Sequence, residues 1–112
     1  MKITVEAATG IIGSGIISCK HDVYLNGKIK GWLGLFNKVE IDKVPEGENT
    51  ITVMTYKTNA DNKIKKDIRL TSTQDVHIWI RKKPDFWKRD VYESLVLGED
   101  VTVIEEKDTE ER

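Results

Sequence analysis

Soft-ligand chemistry is scarce in this chain of 112 residues: there is one cysteine, Cys19, and two histidines, His21 and His77. A lone cysteine excludes an internal disulfide and a thiolate zinc cluster. Cys19 and His21 share one face of an extended segment, which makes them neighbours but not a ligand set. No His-Glu-x-x-His spacing follows, so the sequence assigns no metal site and no cofactor. The lack of cysteine pairs suits a reducing, cytoplasmic location. No apolar run approaches the roughly 18 residues of a membrane-spanning helix. Charge is nearly balanced, 18 Lys and Arg against 19 Asp and Glu, so nothing global attracts nucleic acid or an anionic membrane. The glycine-rich stretch Gly10–Gly15 lacks the Gly-Lys-Ser/Thr ending and the helix that a phosphate loop needs, and reads as a turn or bulge.

Ile16-Ile17-Ser18-Cys19 fits the pattern of a lipidation site, which gives a lipid anchor at Cys19 on the cell surface as the alternative location. A secretory leader requires an unbroken apolar stretch behind a basic start, and Glu6, Thr4, Thr9 and three glycines interrupt it. Met1–Ala8 is therefore taken as a first strand and Cys19 as a small buried side chain.

What the chain does have is alternation. Ile3 and Val5 are interleaved with Lys2, Thr4 and Glu6; Val39 and Ile41 with Lys38, Glu40 and Asp42; Val76, Ile78 and Ile80 with His77, Trp79 and Arg81. A period of two is the mark of a strand with one buried and one wet face. Asn26-Gly27 lies between the extended runs 16–25 and 28–32, where a type I′ hairpin turn calls for positive φ at both positions. Pro45-Glu46-Gly47 forms another turn, followed by the clearest strand, Thr50–Lys57, apolar on both faces and hence expected at the centre of a sheet. Ile64, Ile68 and Leu70 mark the next strand, with Lys63, Lys65 and Lys66 placed outward. After Pro84 the pattern weakens. Trp87, Val91 and Leu95 fit one face of a short helix near 85–95, while Val91 and Tyr92 favour extension. Residues 95–105 read as a closing hairpin around Gly98-Glu99.

These elements predict an all-β fold, a small antiparallel sandwich, immunoglobulin-like or jelly-roll-like, of seven to eight strands. Residues 1–105 make one domain and 106–112, which contain no apolar residue, a flexible acidic tail.

The stretch Pro45-x-Gly47-x-Asn49-x-Ile51-x-Val53, with Asn26-Gly27 upstream, resembles PEGA-type domains, small bacterial β modules. The likeness covers about residues 23–56. It departs from that family in having Asn49 where histidine is usual, in lacking Thr-Pro after the hairpin, and in a longer connection. The resemblance implies an immunoglobulin-like sandwich used for attachment, with no catalytic residues.

No carboxylate pair is marked out as acid and base, and the expectation is a non-enzymatic binding or accessory module with a protein partner. The alternative is a polyanion, a glycan or a membrane surface held by residues 79–89. There Trp79, Arg81, Lys82, Lys83, Phe86, Trp87, Lys88 and Arg89 set five cations and three aromatics against one acid, Asp85. The same aromatics could instead plug one end of the core, and the acidic segment 105–112 could cancel the patch.

Overall fold

In a computed structural model the described residues are 1–7, 21–33, 38–56, 63–82 and 92–111. They form nine strands and no helix. In chain order these are β1 (Ile3–Ala7), β2 (His21–Leu25), β3 (Lys28–Leu33), β4 (Lys38–Ile41), β5 (Gly47–Tyr56), β6 (Lys63–Ser72), β7 (Val76–Lys82), β8 (Tyr92–Leu97) and β9 (Val101–Glu111). The count exceeds the seven to eight expected.

The strands make two sheets, one ordered β4-β1-β7-β8 and the other β3-β2-β5-β6-β9. Alternate residues of both supply one hydrophobic cluster: Ile3, Val5, Ile78 and Ile80 from the first, and Val23, Ile51, Val53, Ile68 and Leu70 from the second. The radius of gyration, 13.5 Å, is that of a compact single domain of this length.

Local chemistry accounts for the turns. Asn26 and Gly27 have φ of 49° and 85°, the conformation a type I′ hairpin demands, and β3 pairs back along β2. Gly47, at φ 104°, opens β5, which lies between β2 and β6 as its two-sided apolar pattern predicts. Asn49 ties the two turns together. Its Nδ2 donates to Pro45 O at 2.8 Å, and its Oδ1 accepts from Asn26 Nδ2 at 2.9 Å.

Several expectations are corrected. The sheets are not wholly antiparallel, because β1 runs parallel to β7, with Ile3 opposite Val76 and Ala7 opposite Ile80. The supposed helix near 85–95 gives way to strand over Tyr92–Leu97, and its earlier part lies outside the described residues. Tyr92–Leu97 and Val101–Glu111 do not form a hairpin. β8 pairs with β7, whereas β9 pairs with β6 in the other sheet, so the turn at 98–100 passes between sheets. Residues 106–111 continue β9 along β6 and set charge opposite charge, as in Lys66 against Asp108. Lys66 itself points inward, not outward, because it shares parity with the buried Ile68 and Leu70. Its Nζ meets Asp108 Oδ1 at 3.0 Å.

Candidate interaction surface

The outer face of the four-stranded sheet is built from residues that alternate with the core. The register aligns them in two rows across the strands. One runs Lys38, Glu6, Trp79, Leu95; the other runs Glu40, Thr4, His77, Leu97. Each row passes from charged side chains on β4 to apolar ones on β8. At the β4 side the charges satisfy one another, with Lys38 Nζ 3.3 Å from Glu40 Oε1 and Lys2 within 4.0 Å of the same oxygen. In the middle, His77 Nε2 lies 2.8 Å from Glu6 Oε2, and its ring stacks on Trp79 with centroids 4.7 Å apart and planes inclined by 10°. The stack and the Glu6 contact hold both rings in place, and Trp79 is half-buried. At the β8 side nothing comparable covers the surface among the described residues: Leu95 is 57 % and Leu97 47 % exposed.

A groove of about 880 Å³ opens on this face. Its lining includes Lys2, Thr4, Glu40, His77 and Leu97, with Asp75 and Glu99 from the turns that follow β6 and β8. The Asp75 turn is fixed by Lys2 N, which donates to Asp75 Oδ1 at 2.7 Å, and by Val76 N, which donates to Lys2 O at 3.0 Å.

The four outer strands differ in how they meet solvent. β3 carries Lys28 and Lys30, β4 carries Lys38 and Glu40, and β9 is charged along most of its length. Charges at these positions oppose pairing with another chain. β3 and β4 also lie against each other, and the approach is close: a Cβ at Gly31 would stand 3.2 Å from Val39 Cγ2. β8, Tyr-Glu-Ser-Leu-Val-Leu, has Glu93 as its one charged residue. A second apolar exposure occurs on the other sheet, where Ile29 and Trp32 are 60 % and 54 % exposed, but on a strand that also carries Lys28 and Lys30.

Of the residues expected to form a basic-aromatic site, Trp79 sits at the centre of this face. Arg81 and Lys82 belong to β7, opposite Glu93 and Tyr92, and their side chains lie outside the described set. Lys83, Phe86, Trp87, Lys88 and Arg89 lie outside the described residues, as do Cys19 and the Gly10–Gly15 stretch. His21 is a core residue, 2 % exposed. Burial pulls its pKa from 6.5 down to about 4 against the opposing pull of Asp22, so the imidazole is neutral at neutral pH. Among the described residues no group of three His, Cys, Asp or Glu side chains is placed to hold a metal ion. No helix among them is long and apolar enough to cross a membrane.

Leu95, Leu97 and the clamped His77 were not singled out by sequence. Their signal was the odd-numbered alternation Glu93, Leu95, Leu97 against Ser94 and Val96, which a helical reading of the same leucine hides. Comparison of the chain with protein-family models, with curated proteins and with solved structures finds no match in any of the three.

Proposed function

We propose that this chain is a non-enzymatic protein-binding module that receives its partner at β8 and the adjoining outer face of the four-stranded sheet. One observation carries the reading: Leu95 and Leu97 stand exposed beside the Trp79–His77 stack, on an outer strand with a single charge. Apolar side chains grouped at such an edge favour a protein partner, because strand addition supplies main-chain hydrogen bonds while the side chains supply pockets or anchors. Trp79, already immobilised by its stack, would lose little conformational freedom on binding.

The same reading takes the two sheets as a face-to-face sandwich, immunoglobulin-like or jelly-roll-like, supported by the single core drawn from both. The likeness to PEGA-type modules belongs to the same proposal and rests on the sequence pattern of Asn26-Gly27 and Pro45-x-Gly47-x-Asn49-x-Ile51-x-Val53. A reducing compartment rests on Cys19 being the only cysteine.

The test is a photo-reactive side chain at position 95, cross-linked in the native cell, followed by affinity measurement with the captured protein. A Leu95→Glu/Leu97→Glu variant should bind that protein at least about tenfold more weakly, a loss of roughly 1.4 kcal/mol. Equal affinity for the variant, or cross-links from position 95 to solvent-borne scavengers only, refutes the assignment.

A further inference from the structure

We infer that Asn26-Gly27 is a site of spontaneous deamidation which the fold holds in check, and that conversion of Asn26 to aspartate breaks the bond joining the two turns. The chain has asparagines at 26, 37, 49, 59 and 62, and Asn26 alone precedes glycine. Without a Cβ on residue 27, its backbone nitrogen is sterically open to the neighbouring side-chain amide. Both residues of the turn are exposed, so water reaches them.

The chemistry needs only the chain and water. Gly27 N, on yielding its proton to solvent base, attacks Asn26 Cγ; the Cγ–Nδ2 bond breaks, ammonia departs and a succinimide ring closes. Water then opens the ring at either carbonyl, leaving aspartate or isoaspartate. In sum, one amide and one water become one carboxylate and one ammonium ion.

Three hydrogen bonds oppose the attack in the folded state. Asn26 Nδ2, the nitrogen that must leave, donates to Asn49 Oδ1 at 2.9 Å. Asn26 Oδ1 accepts from Thr50 N at 2.8 Å, and Asn26 N donates to Thr50 O at 2.8 Å. The amide orientations follow from their partners: Thr50 N can only donate, and Pro45 O, which takes Asn49 Nδ2, can only accept. Asn26 Cγ is therefore anchored on both substituents and must be released before it can turn toward Gly27 N.

The product does not fit the same place. Aspartate would set an acceptor against Asn49 Oδ1, and Asn49, 2 % exposed, can rotate its amide only by giving up Pro45 O. Isoaspartate would add a main-chain atom to a two-residue turn whose geometry fixes the β2–β3 register.

The experiment incubates the wild-type protein in warm, mildly alkaline buffer, once native and once in urea, and maps peptides by mass and by isoaspartate labelling. Residue 26 should gain acid and isoaspartate in urea at a rate roughly tenfold or more above the native rate, since reaction requires an opened turn. Native Asn49→Ala should deamidate faster than native wild type, and Asn26→Asp should unfold at a lower urea concentration than wild type. Equal native and urea rates, no reaction at residue 26 in urea, or an unchanged midpoint for Asn26→Asp would overturn the inference. If Asn49→Ala does not fold, the wild-type pair of rates and the Asn26→Asp midpoint decide the matter.

Discussion

Bringing the protein from neutrality to about pH 4 should cost it about 3 kcal/mol through His21 alone. In the unfolded chain this imidazole titrates near 6.5, and in the folded protein burial lowers it to about 4. Between those values the unfolded state holds a proton that the native state refuses, so stability rises with pH across the window. The contribution is fully present above about pH 6.5 and is lost as pH falls toward 4. With roughly 1.4 kcal/mol for each pKa unit, the depression gives the stated figure. Carboxylates titrate over the acid part of the same range, so the measurement is a difference. Urea midpoints of wild type and His21→Gln, taken at closely spaced pH, share the other groups. The wild type should lose about 3 kcal/mol relative to the variant over the interval. A constant difference, or an imidazole C2–H resonance of the folded protein that titrates near 6.5, refutes the reasoning.

Gly31→Val should destabilise by about 1–3 kcal/mol in urea unfolding, because even its Cβ would press on Val39 where β3 meets β4. Asn49→Ala should cost about 1–3 kcal/mol in the same assay, since it strips partners from Pro45 O and from Asn26 Nδ2. Leu95→Glu/Leu97→Glu, by contrast, should shift stability by no more than about 0.5 kcal/mol per site, since about half of each leucine is exposed to water. A large stability loss there would mean that these leucines serve the core and not a partner.

Legibility followed from which physical signal each segment carries. β1, β4 and β7 announce themselves because an apolar residue recurs at every second position, as Val39 and Ile41 against Lys38 and Glu40 show, and β5 because it is apolar on both faces. The hairpin at Asn26-Gly27 is legible because so few residues tolerate its backbone. β9 is not, since beyond Ile104 its pairing rests on cross-strand charge, Arg69 with Glu105 and Lys66 with Asp108, and such partners are visible only once β6 is beside it. The placement of Lys66 is hidden for the same reason: a lysine looks solvated until its counter-charge on the neighbouring strand is known. The aromatic Trp79 was legible as a notable residue, but the surface around it was not. Its neighbours come from β1 and β8, brought together by pairings between distant residues.

The parallel pairing of β1 with β7 bears on the order in which a growing chain can assemble. β2, β3, β5 and β6 pair with one another among near neighbours and can do so once Ser72 has emerged, leaving only the far side of β6 to await β9. β1 is made before β7 yet is tied beside it by contacts such as Lys2 to Asp75, 73 residues apart. Closing so long a loop is slow relative to forming hairpins. During synthesis Ile3 and Val5 must therefore wait, uncovered by β7, until residues 76–82 have emerged. β1 thus precedes its partner in synthesis by about seventy residues, and the interval between is when nascent protein is most open to chaperones or to its own neighbours.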